Sequence, residues 1–191
     1  MTGPSITVPT VDSDNGTWGT TLNTAINQIN DYDVFKYKTA DESVTSSTTL
    51  QDDDHLTAMS LGVGTYIIEA MYLVSGAAAG DVKIAWAFSG TATASYRAGQ
   101  GPTDTTTSVK STTAATTVGV NRSAAAGDTT AAITSATPYG VDGTNWSYIY
   151  ERGLMVVTVA GTLKTQWAQL ASSGTATVMR TGSWMWARRV A

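Results

Sequence analysis

The chain predicts an all-β fold, a jelly-roll β-sandwich of about 8–10 antiparallel strands, and three observations in its 191 residues predict it. Thr is the commonest residue, Ala and Gly follow, and only 14% of residues are charged. That composition favours strands and turns over surface helices rich in Glu, Lys and Arg. Apolar residues from Val44 onward recur at period two, the repeat of a strand with a buried face. Gly153, Gly161, Gly174 and Gly182 then cut the C-terminal part into segments of the length that sandwiches use. Hydrophobic residues make up 42% of the chain, enough to fill the core of one domain that carries a short appendage.

The appendage comes first. Pro4 and Pro9 keep the opening residues extended, because proline fixes its own φ and turns the residue before it away from helix. The spacing then changes to three and four: Trp18, Leu22, Ala25, Ile26 and Ile29 fall on one face of a short α-helix within residues 14–31. Thr17 or Asp14 can cap it, but Gly19 and several Thr weaken its intrinsic helicity, so it needs a surface to pack on. Residues 1–38 are therefore expected to be an extended arm and docking helix, and residues 39–191 the sandwich.

Inside the body, strands are expected at 44–50 and 56–61, separated by an acidic corner. Residues 65–74 carry apolar side chains on both faces, with Tyr66, Ile68, Ala70, Tyr72 and Val74 on one and Ile67, Met71 and Leu73 on the other. Such a strand is covered on both sides. Val82, Ile84, Trp86 and Phe88 alternate with Lys83, Ala85 and Ala87, which reads as a half-buried strand. From 89 to 137 the contrast fades into Thr, Ala, Gly and Ser, and strands are placed near 116–120 and 128–134 with mobile loops around 99–110. Further strands follow at 147–150, 154–160, 163–171, 175–179 and 183–190, with Glu151, Arg152 and Gly153 read as a hairpin end. In the last strand Trp184, Trp186, Arg188 and Val190 share one face and Met185, Ala187 and Arg189 the other, one face meeting the core and one a neighbour.

Charge and composition narrow the function classes. The net charge is -4 with a pI near 4.7, and the 11 Lys and Arg are scattered apart from Arg188 and Arg189, so no footprint for a nucleic-acid backbone is present. The absence of cysteine rules out a disulfide framework and a thiolate metal site. The opening residues have no basic n-region or apolar h-region, and no run reaches the roughly 18 apolar residues of a membrane span. Synthesis in the cytoplasm without a signal peptide, and no membrane insertion, are the expectations.

No constellation carries chemistry. Asp52, Asp53, Asp54 and His55 are the densest set of ligand types, yet adjacent carboxylates cannot all face one ion, and a solvated turn with Asp accepting backbone amides is the reading. His55, the sole histidine, has no nucleophile elbow to serve. Glu69 or Glu151 could meet an Asp across a glycosidase-like cleft, but fifteen acidic residues make such a pairing cheap by coincidence. No catalytic residue, metal ligand or cofactor is assigned. Tyr139, Trp146, Tyr148 and Tyr150 cluster around a loop that contains Pro138, Gly140, Asp142 and Gly143, and Tyr139, Trp146 and Tyr148 are the candidates for stacking on a host-surface glycan, against packing or subunit contact.

The pattern of Asp14, Gly16, Thr17, Trp18, Gly19, Leu22, Asn23 and Ile29 resembles the D-x-G-x-W-G-x-x-L-N opening of bacteriophage tail-fibre and minor tail proteins. The segments Ser47-Thr-Thr-Leu-Gln-Asp-Asp-Asp-His-Leu, Gly64-Thr-Tyr-Ile-Ile-Glu-Ala-Met-Tyr and Gly182-Ser-Trp-Met-Trp-Ala-Arg-Arg-Val are similar to virion proteins of phages of actinobacteria. The resemblance implies a jelly-roll body of the tumour-necrosis-factor or C1q type, typically trimeric. It places the chain in the virion as a non-enzymatic structural protein of the minor tail, tail-fibre or adhesin kind. Trp18, Leu22, Ile26 and Ile29 would dock it on another virion protein of the tail or baseplate, while Ile67, Met71, Leu73 and Met185 are the expected subunit interface. A capsid decoration protein seated on the major capsid protein is the alternative within the particle, and a glycan-binding module is the alternative from another class.

Overall fold

The computed structural model describes residues 33–102, 118–122, 131–141, 143 and 145–191, together with Thr20 and Leu22. The expected docking helix lies outside the described residues except for those two, so Trp18, Ile26 and Ile29 have no described position.

The described strands run in the order β1 (Asp33–Tyr37), β2 (Glu42–Val44), β3 (Gln51–Asp52), β4 (Met59–Leu61), β5 (Gly64–Ser75), β6 (Val82–Phe88), β7 (Thr91–Pro102) and β8 (Val118–Arg122). A single helical turn, α1 (Ala131–Thr134), follows, then β9 (Thr137–Tyr139), β10 (Ser147–Val159), β11 (Gly161–Ala168), β12 (Thr177–Met179) and β13 (Trp184–Arg189). All pairings are antiparallel and form an eight-stranded and a five-stranded sheet. The large sheet runs β1-β13-β5-β10-β7-β8, with β12 bridging β5 to β2, and the small one runs β3-β11-β6-β9, with β4 also on β11. Partners are nested: β1 with β13, β3 and β4 with β11, β5 with β10, and β6 with β9. A long antiparallel ribbon rolled on itself has that wiring, so the body is a jelly roll.

Period-two burial builds the core between the sheets. On β5, Tyr66, Ile68, Ala70, Tyr72 and Val74 are fully buried, and on β6 and β11 Val82, Ile84, Trp86, Leu163 and Trp167 meet them from the other side. Each large apolar side chain removed from water stabilises the fold by about 1.5–3 kcal/mol.

Several expected boundaries move. β1 pairs along its whole length with β13, so Asp33–Tyr37 belong to the sandwich and not to the expected arm. The strands expected at 147–150 and 154–160 are one 13-residue strand, and Glu151 lies in its middle instead of at a hairpin end. Residues 91–102 form a twelve-residue strand where low contrast gave none, and this takes in 99–102 from the expected loop. The expected strand at 128–134 is overturned at 131–134, which are helical, while the one near 116–120 corresponds to β8.

Candidate subunit interface on the outer face of the large sheet

Residues of the large sheet that do not face the core form a second surface, rich in aromatic and aliphatic side chains and laid out in rows across the strands. One row reads Tyr37, Trp184, Met71, Tyr150, Gln100 through successive register partners. The next reads Phe35, Trp186, Glu69, Arg152, Ala98, and a third Asp33, Arg188, Ile67, Leu154, Tyr96. Leu73 stands opposite Tyr148 at the far end. Such cross-strand neighbours touch, so each row is a continuous strip. Phe35 packs on Tyr37 with ring centroids 6.3 Å apart and on Trp184 at 6.1 Å. Phe35, Tyr37 and Tyr148 are nonetheless each more than half exposed, and Tyr96 nearly so.

Charge on this face is spent locally. Arg152 Nε lies 3.3 Å from Glu69 Oε1, and Arg188 is stacked 5.9 Å over Trp186. Burial and the neighbouring Glu69 carboxylate push the Tyr150 hydroxyl above its ordinary value. At the end of the sheet Arg180 stacks 5.5 Å over Trp146, which is 56% exposed, and its backbone N–H donates to Leu73 O at 2.8 Å. Trp146, Arg180, Leu73 and Tyr148 thereby extend the apolar face round its rim.

The expected site residues divide. Ile67, Met71 and Leu73 lie half-buried on this outer face. Met185 does not: it is fully buried in the sandwich, with Thr165 Oγ1 donating to its sulfur at 3.5 Å. Its register partner Ala70 also faces the core, so the parity of β13 puts Trp184 and Trp186 outward in its place. Tyr139 is likewise removed from the surface candidates, being fully buried, whereas Trp146 and Tyr148 are exposed. Phe35 and Tyr37 were not singled out from sequence, although their i, i+2 spacing matches that of Trp184 and Trp186 across the pair.

Tyr139 instead belongs to a polar network inside the core. Its hydroxyl donates to Glu151 Oε1 at 2.8 Å, and Arg97 Nη1 lies 3.4 Å from Glu151 Oε2. Arg97 Nη2 donates to Ile84 O at 3.0 Å and to Thr137 Oγ1 at 2.8 Å, with its guanidinium 5.4 Å over Trp86. Trp86 Nε1 donates to the Tyr72 hydroxyl at 3.0 Å, which lies 3.1 Å from Thr165 Oγ1. Burial pushes the Glu151 carboxyl up and Arg97 pulls it back; burial and Glu151 push the Tyr139 hydroxyl up. Glu151 pairs with Ala70 and faces inward, while Glu69 pairs with Arg152 and faces outward, so these two carboxyl groups stand on opposite sides of one sheet.

The acidic corner also separates. Asp52 binds Lys164 and Gln166, Asp53 turns inward to Lys38, and the Asp54 N–H donates to Glu42. Among the described residues no group of three or more His, Cys, Asp or Glu is placed to hold a metal ion, and no helix is long and apolar enough to cross a membrane. No protein-family model matches the chain, and no curated protein matches it.

Proposed function

We propose that the chain is a non-enzymatic structural protein of a tailed-bacteriophage particle, a homotrimer built through the outer face of the large sheet and attached by its N-terminal segment as a minor tail or tail-fibre component. The phage reading is supported by the Asp14-to-Asn23 pattern and the three similar body segments. The observation that carries assembly is the aromatic outer face: Phe35, Tyr37, Trp184, Trp186, Met71 and Leu73 lie together on a sheet whose other face already fills the core. Contiguous apolar surface of this kind marks an interaction site. A cyclic trimer joins its copies head to tail around one axis, so two different parts of this face on each subunit would meet its two neighbours. Among the described residues β1 is the edge of that sheet, and the attachment segment precedes it in the sequence. Three copies would present three segments side by side, raising their effective concentration at the docking partner.

Light scattering on the full chain is expected to give a trimer; a monomer at every accessible concentration defeats the assembly. Labelling the protein in images of the particle is expected to mark the tail, and label on the capsomers would replace the tail reading with capsid decoration. Loss of incorporation on deleting residues 1–31, with the trimer intact, is the expected sign of attachment. The exposed pair Trp146 and Tyr148, with Arg180 stacked on the indole, favours a second role in binding host glycan, which glycan-array binding abolished by Trp146→Ala would support.

A further inference from the structure

We propose that Lys38 and Asp53 become joined by an amide bond, an intramolecular isopeptide cross-link formed with Glu42 as the proton carrier. The three side chains meet where the chain leaves β1 of the large sheet and β3 of the small one. Lys38 Nζ lies 2.8 Å from Asp53 Oδ2 and 2.8 Å from Glu42 Oε2. The side chains of Lys38 and Asp53 are fully buried, while that of Glu42 is 12% exposed.

Two features go beyond what an ion pair requires. Asp53 Oδ1 accepts the backbone N–H of His55 at 2.9 Å and of Leu56 at 2.8 Å, which leaves Oδ2 toward the amine and gives Oδ1 two fixed donors. Acyl transfer needs that division, because charge gathers on one oxygen while the other departs. Glu42 is itself held, with Gln51 Nε2 donating to Oε1 at 2.9 Å and the Asp54 N–H to Oε2 at 3.1 Å, so a base is fixed against Nζ. Both reacting residues are tied to the sandwich: Lys38 N–H donates to Ser183 O at 2.7 Å, and Asp53 N–H to Thr165 O at 3.0 Å. Groups held in this way react as if highly concentrated.

The step balances without an oxidant or a co-reactant. Glu42 takes a proton from the ammonium and passes it to Asp53 Oδ2, the Nζ lone pair attacks Cγ of the neutral carboxyl so formed, and the developing charge rests on Oδ1 beneath its two N–H donors. The Cγ–Oδ2 bond then breaks. The two protons that Nζ gives up both end on Oδ2, relayed through Glu42, so ammonium plus carboxylate become amide plus water and Glu42 finishes unchanged. The bond would close the 38–53 segment covalently and lock the corner between the two sheets. It stands independently of any place in a particle.

The test is the mass of the denatured full chain. It is expected to be one water lighter than its sequence, and trypsin is expected to leave the bond after Lys38 uncut, releasing a 37–83 peptide that lacks backbone fragments between 38 and 53. Lys38→Arg and Asp53→Ala should lose both signatures. Glu42→Gln, altered at a side chain that reaches solvent, should fold and remain uncross-linked. A wild-type chain of full mass that is cut after Lys38, even after days of incubation folded, overturns the proposal. A lost water with Lys38 still cleavable, as a cyclised Asp elsewhere would give, overturns it too. Cross-linking of Glu42→Gln at the wild-type rate overturns the role of Glu42.

Discussion

Arg97 and Glu151 are charged side chains with no access to water, and their partners decide what they are worth. Arg97 is held by Glu151, Thr137 Oγ1 and Ile84 O as well as by the face of Trp86. Removing one member of a buried pair strands the other, so Arg97→Met is expected to cost about 3–5 kcal/mol in urea unfolding, and adding Glu151→Leu should recover much of it. The same residue sets a pH dependence. Unfolded, Glu151 ionises in the ordinary carboxylate range; folded, burial makes it keep its proton to higher pH. Its contribution is therefore full below the unfolded value and is lost as pH rises through the folded one. The urea midpoint of the wild type should fall relative to that of Glu151→Gln as pH is raised above the carboxylate range, and parallel profiles would contradict this. Glu151 also shows why part of the core was illegible. The inward positions of β10 are Ser147, Ile149, Glu151, Gly153, Met155 and Val157, of which only three are apolar. A period-two search sees a break there, because Arg97 supplies the neutralising charge from a strand fifty residues away.

At the scale of strands, legibility followed the chemistry of the inward face. Strands β5, β6 and β13 alternate large apolar residues with others and could be read directly. Strand β7 could not, since it points Arg97, Gly99 and Gly101 inward. Those glycines look like loop residues in sequence, but in the fold they make room for an aromatic ring. A Cβ on Gly99 would overlap the Tyr139 hydroxyl, and one on Gly101 would stand 2.9 Å from Tyr139 Cδ1. The ring that fills this space is donated by β9, so neither strand explains itself alone. Gly99→Ala is expected to destabilise by about 1–3 kcal/mol through overpacking. Tyr139→Phe removes the nearer of the two ring-end atoms that the new methyl strikes, at the loss of the bond to Glu151. The double variant should therefore lose less than the sum of the singles, by about 0.5 kcal/mol or more. Additive losses in a double-mutant cycle would show that the glycine is needed for some other reason.

For the whole molecule, β13 separates what holds the fold from what is proposed to hold the assembly, because its two faces differ by one residue in parity. The sequence separates Trp184 and Trp186 from Met185, and the expectation that put Met185 at the interface took the wrong side, since both faces are apolar and neither marks itself as inside. Packing decides it: Met185 and Ala187 are narrow enough to lie against Ala70 and Ile68 in the closed sandwich, and the two indoles are left on the open face beside Phe35 and Tyr37. Substitutions at adjacent positions should then fail in different ways. Met185→Ala opens a cavity in the core and is expected to lower unfolding free energy by about 2–5 kcal/mol, with the proposed trimer kept wherever the protein remains folded. Trp186→Glu puts a charge opposite Glu69 in the middle of the outer face, where copies are proposed to meet. It is expected to yield a folded monomer by light scattering, with circular dichroism like that of the wild type. A Trp186→Glu protein that stays trimeric would move the interface to another surface, and one that unfolds would show that the outer face stabilises the single subunit as well.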